Sequence, residues 1–390
     1  MQSTTTLEAV REMLSALAIT EEQIGDLPAA FATVPDPRAR RGQRYDLPLL
    51  LTCLVAALLC NCNSLDAVGE WCQHQRRLLR RYFGPRRHLT PTGSLYRRLL
   101  PRLSVAHLEA ALAAWVQGSL NAEPDDALAL DGKTVRGAVA AGARAPHLLS
   151  VSTHDSQETL VQVAVEEKTN EIPVARALLP ALPLAGRILT ADALHTQVET
   201  AQAILDHGGD YLLVVKRNQE TLYAECATYF SDPTARVGRS TTVDRRRGRT
   251  ETRTLYVTTC LNAHLTRYSR FPRIGQVACL LTTMQDRRGT QREVRFLLTS
   301  LTPQQAPPAR LLALARGHWR IESRHWTRDV TFGEDRARLR TGAGPQIMAA
   351  LRNLVITLIH RLGTSRIAAQ RRAFAARPAH ALQALGLCPC

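Results

Sequence analysis

The chain is 390 residues long, which suits two or three domains rather than one. Hydrophobic residues make up 45% of the sequence, which argues against a chain that stays disordered. Lys and Arg number 50 against 34 Asp and Glu, for a formal net charge of +16, and this excess favours a polyanionic partner, nucleic acid first. The alternative is a basic protein with no such partner.

Residues 1–122 are predicted to form a helical, basic domain that binds DNA. The segment TLEAVREMLSALA has the apolar spacing of an amphipathic helix. Residues 47–60 form an apolar run that is shorter than the roughly 18 residues needed to span a membrane. We therefore expect a buried helix there, and no membrane partner.

The nine cysteines have no spacing typical of paired metal ligands. Their odd number, with an amino terminus that has no apolar signal core, predicts reduced thiols in a cytoplasmic protein that joins the nucleoid when bound to DNA. A structural zinc site is the alternative, although the spacing of its four ligands does not match the usual sites: Cys60, Cys62, Cys72 and His74.

A pair of basic helices is predicted next. Four arginines at the spacing of one helical turn share one face of the first helix: Arg76, Arg77, Arg80 and Arg81. The segment LTPTGSLYRRLL is typical of a turn, a cap and a second helix, as in a helix-turn-helix. Like charges this close repel unless phosphate neutralises them, so we predict that Arg80 and Arg81 contact DNA. A solvated basic face is the alternative.

Residues 123–217 alternate short strands with helices, which predicts a mixed α/β sheet. Residues 218–300 are predicted to be a β-rich insertion, with a hairpin turn at residues 286–289. Helices return in residues 301–365 and complete the α/β core, and residues 366–390 form a basic tail.

Three acids stand out by their positions. Asp131 and Asp192 each end a predicted core strand, and Glu322 lies on a helix after the insertion. Strand ends on one edge of a sheet can converge, and a packed helix can deliver a third group. Carboxylate oxygens are the ligands that Mg²⁺ prefers, and two such ions promote in-line displacement at phosphorus. We therefore predict that the three acids are catalytic and bind two Mg²⁺ ions, for which Mn²⁺ can substitute.

Each acid also has a plainer interpretation. Asp131 precedes Gly, a common turn pair. Asp192 could cap the helix that begins near His195, and Glu322 could pair with a neighbouring arginine on a helix surface.

Cations accompany these acids along the chain. We predict that four of them hold the DNA backbone without reading its sequence: Lys133, Arg136, Lys216 and Arg320.

A polar stripe on the first helix predicted after the β insertion offers a competing site. Its four residues fall at i, i+4, i+7 and i+11: His318, Glu322, His325 and Asp329. Such a stripe could bind zinc in a hydrolase. Its spacing is not the His-Glu-x-x-His pattern of metalloproteases, so the zinc hydrolase is the weaker alternative.

Six segments carry a resemblance to a known family. In chain order they are ALDGKTVRGA, EEKTNEIPVARALLPAL, ILTADALHTQ, GGDYLLVVKRNQ, RGRTETR and HWRIESRHWTRDVTFGEDRARLRTG. Together they resemble the DDE transposases of bacterial insertion sequences, in the branch that includes the H-repeat-associated proteins. VPDPRARRGQRYDLPLLL and LTPTGSLYRRLL resemble the helical amino-terminal region of the same group, so the likeness covers roughly residues 25–362.

The resemblance implies a ribonuclease-H-like mixed sheet with helices, interrupted by a β insertion before the last acid. By motif position, Asp131, Asp192 and Glu322 match the DDE triad. The implied activity is cleavage of double-stranded DNA at the ends of an element and strand transfer into target DNA. Since two ends must be brought together, we expect a homodimer on DNA.

The chain departs from the family at a few positions. Related transposases often carry a Tyr, an Arg and a Lys around the final Glu, and here those positions are Ala315, His318 and Asp329. The branch usually has a His where Arg247 stands. An inactive or domesticated DNA-binding relative is therefore the alternative to an active transposase.

Overall fold

The structure is a computed structural model that describes residues 7–8, 10–13, 26–84, 90–118, 127–138, 145–165, 171–246 and 248–389. Most of the first predicted helix, Arg247 and the predicted boundary at residue 122 lie outside these ranges.

The chain forms these elements in order. The amino-terminal helices are α1 (Leu27–Ala32), α2 (Leu47–Leu59), α3 (Leu65–His74), α4 (Arg76–Phe83), α5 (Gly93–Leu99) and α6 (Val105–Gly118). The α/β part follows with β1 (Leu128–Thr134), β2 (His147–Thr153), β3 (Thr159–Val165), α7 (Glu171–Leu178), β4 (Ile188–Ala191), α8 (Val198–Asp206) and β5 (Asp210–Val215). Next come α9 (Glu220–Ser231), β6 (Gly238–Arg246), β7 (Arg249–Thr258), α10 (Asn262–Ser269), β8 (Gln276–Asp286) and β9 (Gly289–Thr299). The closing helices are α11 (Pro308–His318), α12 (Arg320–Trp326), α13 (Gly344–Arg361), α14 (Ile367–Ala376) and α15 (Pro378–Ala384).

The chain divides into two compact units. The first unit comprises Met1–Ala122, Gly132–Ala181 and Glu322–Cys390. The second unit comprises Glu123–Asp131 and Leu182–Ile321. Each unit draws on separate stretches of sequence, and the five-domain division made from the sequence stays a prediction.

Helix α2 lies at the centre of the first unit. Asp46 precedes it and Pro48 occupies its first turn, where a missing N–H costs nothing. All of its residues except Pro48 are buried, and they pack with apolar residues of α13, so the predicted buried helix is confirmed. Among the described residues no single helix has the length and apolar composition of a membrane span. Gly93–Arg102 and Val105–Gly118, bent by 96°, meet that length and composition only as a pair.

The second unit is built on a mixed sheet in the order β1-β4-β5-β9-β8-β7-β6. The strands β1, β4 and β5 are parallel, and the later neighbours pair antiparallel. Helix α11 covers one face with Leu311, Leu312 and Ala315. The mixed α/β class and the hairpin turn at residues 286–289 are thus confirmed.

In the first unit, β2 and β3 form an antiparallel pair around residues 154–158, as the sequence predicts. The helices α6 and α13 pack against β3. The carboxyl-terminal residues of β1, from Gly132 onward, belong to this unit and continue the order β3-β2-β1.

Candidate functional site

The parallel pairing of β1 and β4 sets Asp131 beside Asp192. The last residue pair between the strands is Leu130 with Ala191, and each aspartate is the next residue of its chain. Neighbouring strands lie about 4.8 Å apart and side chains alternate between faces, so both carboxylates start from adjacent positions on the same face. The structure thus brings together, within the second unit, two of the three predicted site acids.

The turn interpretation of Asp131 is wrong, because β1 does not end there. The strand continues to Thr134, and Gly132 is a strand residue. A Cβ at Gly132 would overlap the imidazole of His147 and come within 2.9 Å of Glu171 Oε2. The glycine therefore allows a close approach of side chains, rather than a turn.

Asp192 is held as an anion. Its carboxylate is 3.1 Å from the Lys216 ammonium, and both side chains are about half exposed. Burial by itself raises the pKa of Asp192, but the Ala193 N–H and Lys216 outweigh it, so the pKa lies below its usual value. This carboxylate is ready to pair with a cation at neutral pH.

A buried histidine supports the strand that carries Asp192. The hydroxyl of Thr190 donates to Leu128 O at 3.0 Å and lies 2.9 Å from His318 Nδ1. The Thr190 hydroxyl has one proton and donates it to the Leu128 carbonyl. Nδ1 of His318 is therefore the protonated nitrogen of the neutral ring and donates to the hydroxyl oxygen. Burial lowers the pKa of His318 to about 4, against the opposing charge of Asp192, and the ring is neutral at pH 7.

Glu322 is an exposed residue in the first turn of α12 and belongs to the first unit. The same helix is anchored by Arg324, which donates to the hydroxyl of Ser152 and to the carbonyl of Gln157. Burial lowers the pKa of Arg324 to about 9. A buried arginine thus fixes α12 against the β2–β3 pair while Glu322 faces solvent.

Beyond α12 the chain forms a π-helical turn, Thr327–Thr331, that carries a buried charge network. Asp329 binds the Lys133 ammonium with both oxygens, at 2.7 and 2.8 Å, and Lys133 is only 8% exposed. Glu334 lies between Arg328 at 2.8 Å and Arg352 at 3.0 Å, with all three side chains buried. These pairs tie the π turn to β1 and α13.

Five of the six predicted DNA contacts have exposed side chains: Arg80, Arg81, Arg136, Lys216 and Arg320. Lys133 differs, because its ammonium is bound by Asp329. A DNA contact of Lys133 requires that this pair open.

The two zinc alternatives have no assembled ligand set. Among the described residues, no group of three or more His, Cys, Asp or Glu side chains is placed to hold a metal ion, and this holds for the predicted triad of Asp131, Asp192 and Glu322 as well. In the stripe, His318 bonds to Thr190 and Asp329 to Lys133. Cys53, Cys60 and Cys72 are buried and pack with apolar residues of the helical core.

Sequence reasoning missed the partners of the departing residues. Ala315 is buried in the apolar core under α11. The positions where the resemblance implies an Arg and a Lys hold a neutral His318 and an Asp329 paired with Lys133. The one sequence signal for these partners was the charge reversal at Asp329. An acid where the resemblance implies a lysine is expected to form an ion pair with a nearby cation.

Comparisons with known proteins agree on one family. Residues 123–358 match the family model described as transposase DDE domain, and residues 29–116 match the one described as DDE_Tnp_1-associated. "Putative transposase YncI" of Escherichia coli O157:H7 is 25% identical over 338 residues, covering 84% of this chain and 86% of that protein. "H repeat-associated putative transposase YhhI" of Escherichia coli K12 is 24% identical and covers 84% and 89%.

A solved structure is also similar at a low level. The piggyBac transposase synaptic complex with hairpin DNA gives a TM-score of 0.43 at 10% identity, covering 99% of this chain and 82% of that one. A similarity of this size carries no conclusion about fold or function.

Proposed function

Because the chain belongs to the family of transposases with a DDE domain, we propose that it cuts DNA at the ends of an insertion element and transfers the cut strand into target DNA. The observation that carries the proposal is the register of β1 and β4, which sets Asp131 beside Asp192. Paired carboxylates on adjacent strands are the arrangement that metal-dependent phosphoryl transfer needs.

Asp131, Asp192 and Glu322 would hold the divalent metal, two Mg²⁺ ions for which Mn²⁺ can substitute. The chemistry of the donors supports this, because carboxylate oxygens suit Mg²⁺ and Asp192 already binds a cation, the Lys216 ammonium. Bound ions supply Lewis-acid activation of the phosphodiester. The chain's own part is to keep Asp192 ionised and to fix both aspartates on neighbouring strands, so that little reorganisation accompanies the reaction.

The proposed reaction has two displacements at phosphorus. Water attacks a phosphodiester at an element end and displaces a 3′-hydroxyl. That hydroxyl then attacks a phosphodiester of target DNA, forms a new P–O bond there and displaces the 3′-oxygen of the target strand. Neither step forms a bond between protein and DNA, so we assign no Ser or Tyr nucleophile.

A ribonuclease-H-like core is part of the proposal. The strand order is β3-β2-β1 in the first unit and β1-β4-β5 in the second, with β2–β3 antiparallel and β1, β4 and β5 parallel. The hairpins β6–β9 then form the insertion before Glu322.

Double-stranded DNA is the proposed partner, bound by a homodimer in the cytoplasm. Exposed cations would contact its backbone, at Arg80 and Arg81 on α4 and at Arg136, Lys216 and Arg320 beside the acids. Lys133 joins them only when it leaves Asp329.

The test uses the full chain, Mg²⁺ and duplex DNA with the inverted repeats that flank the reading frame. Asp131→Asn, Asp192→Asn and Glu322→Gln should each lower cleavage by on the order of 100-fold or more, because each removes a metal ligand. Asp206→Asn is the matched control, an exposed acid on α8 that should leave the rate unchanged. Undiminished cleavage by Asp192→Asn would remove the proposed role.

The alternative is a relative that binds DNA without cutting it. It is favoured by the departures at Ala315 and Asp329 from the pattern that the resemblance implies, since the Asp329 carboxylate pairs with Lys133. Nicking of end-containing DNA that depends on Mg²⁺ decides against this alternative.

A further inference from the structure

Two β-hairpins in the second unit end side by side. In the register of the sheet, Thr250 of β7 pairs with Gln285 of β8, which pairs in turn with Thr290 of β9. Thr250 follows the first turn and Gln285 precedes the second. Both turns therefore lie at the same end of the sheet.

This end carries a cluster of exposed arginines, which we call the hairpin-tip patch: Arg245, Arg246, Arg249, Arg287, Arg288 and Arg292. None of the six forms an ion pair with a described residue. Arg249 contacts the sulfur of Met284, and the backbone N–H of Arg288 donates to Asp286 at 2.7 Å.

The neighbouring acids form ion pairs with arginines outside the patch. Asp244 binds Arg253 at 2.6 Å and Arg316 at 2.8 Å. Glu251 binds Arg253, and Glu293 binds Arg295, each at 2.7 Å. Only Asp286 adds a negative charge at the turns, so the patch keeps a large positive excess.

The patch continues onto one open face of the sheet. Arg245 and Arg292 lie on this face, because the register pairs Arg245 with Thr250 and Arg292 with Thr283, in two rows that are two positions apart along the strands. The opposite face carries Arg246 and Arg249 at the tip and, farther from it, Asp244 and Arg295, which contact Arg316 and Trp319 after β9. The face with Arg245 and Arg292 thus presents guanidinium groups and hydroxyls beside the exposed Val243, and guanidinium groups and hydroxyls both donate hydrogen bonds to phosphate.

We propose that the hairpin-tip patch binds the phosphate backbone of duplex DNA without reading its sequence. Six like charges at one end of the sheet repel one another, and a polyanion relieves that repulsion. Arginine forks match phosphate oxygens in geometry as well as charge. This inference rests on the proposed function for the identity of the nucleic acid, and it adds a binding surface separate from the acids.

The experiment measures the salt dependence of duplex binding by the full chain. A variant with Arg245→Gln, Arg249→Gln, Arg287→Gln and Arg292→Gln removes four charges from exposed side chains and should fold normally. The slope of log K against log salt should become shallower by about 2 to 4, since each phosphate contact contributes about 0.9.

The matched control removes the same charge from exposed arginines elsewhere: Arg267→Gln, Arg366→Gln, Arg372→Gln and Arg377→Gln. Its slope should change by less than about 1. A control that matches the patch variant would overturn the proposal, because net charge alone would explain both. An unchanged slope in the patch variant would overturn it as well.

A second measurement uses the unchanged chain. Phenylglyoxal modifies accessible arginines, and bound duplex should protect those of the patch, as read by mass spectrometry. Equal modification with and without DNA overturns the proposal. Protection by an acidic peptide or single-stranded RNA at equal phosphate or carboxylate concentration, without protection by duplex, would assign the patch to another partner and also overturn it.

The two proposals fail in different ways. If the unchanged chain neither binds end-containing duplex nor cuts it with Mg²⁺, the proposed function fails. If it binds and cuts while the patch variant keeps its salt slope, only the patch proposal fails.

Discussion

Two lysines accompany the proposed acids, and the structure uses them in opposite ways. Lys216 lies 3.1 Å from Asp192, with side chains 56% and 47% exposed. Lys133 contacts both oxygens of Asp329 and is 8% exposed. An exposed pair is held weakly and exchanges its partner readily, whereas a buried pair resists opening because a lone charge there is costly. Lys216 thus forms an ion pair that exchanges readily, whereas Lys133 forms an ion pair that stabilises the fold.

The ion pair of Lys133 with Asp329, whose side chains are 8% and 31% exposed, gives the largest expected effect. Asp329→Asn leaves the Lys133 ammonium buried without its counter-charge, so the free energy of unfolding should fall by about 2–4 kcal/mol, somewhat below the value for a fully buried pair. Urea unfolding followed by circular dichroism measures it. The double variant Lys133→Met with Asp329→Leu should recover most of the lost free energy of unfolding. A loss below about 1 kcal/mol in the single variant would show that the ion pair of Lys133 with Asp329 does not stabilise the fold.

Glu109 extends the comparison to a buried carboxyl group whose hydrogen-bond partner is an amide rather than a cation. Glu109 is buried and accepts from Gln162 at 2.9 Å, and burial raises its pKa to about 8. The folded state therefore keeps a proton that the unfolded chain loses near pH 4.5, so the free energy of unfolding should fall as pH rises from 4.5 to 8, by at most about 1.4 kcal/mol per pH unit, and then level off. Glu109→Gln should flatten this slope in urea titrations. A parallel slope in the variant would show that Glu109 is charged in the fold.

The exposed pair gives the smallest effect. Lys216→Met should change the free energy of unfolding by less than about 1 kcal/mol. The pKa of Asp192 should rise toward its usual value, because the Lys216 charge and hydrogen bond help to lower it. Carboxyl-carbon NMR of labelled aspartate measures the shift. A stability loss as large as that of Asp329→Asn would erase the contrast between the two lysines.

Local patterns in the sequence were enough for much of the fold. The buried helix at residues 47–60 and the hairpin around residues 286–289 depend on nearby residues, and both are confirmed. The family resemblance, built on six short motifs, is confirmed as well. The prediction that Asp131 ends a strand is wrong, because β1 continues to Thr134, yet Asp131 and Asp192 still follow the paired residues Leu130 and Ala191 of two parallel strands. The catalytic and DNA-binding roles of the named residues stay predictions.

The sequence did not predict buried contacts between residues that lie far apart along the chain. Lys133 follows Asp131 among other cations, which favoured a DNA contact, yet its partner Asp329 lies 196 residues away. Likewise Thr190 and His318 meet across 128 residues. A strand period shows which face a residue occupies, but it does not show what packs against that face.

The π turn at Thr327–Thr331 changes how positions after Glu322 should be counted. Spacing rules for a helix assume 3.6 residues per turn, and a wider turn puts that count out of phase. Trp326 and Val330, four and eight positions after Glu322, are exposed apolar side chains, while Asp329 turns toward Lys133. Distance along the chain therefore stops predicting which face a residue occupies after Trp326, and Val330 rather than Asp329 shares the exposed side with Glu322.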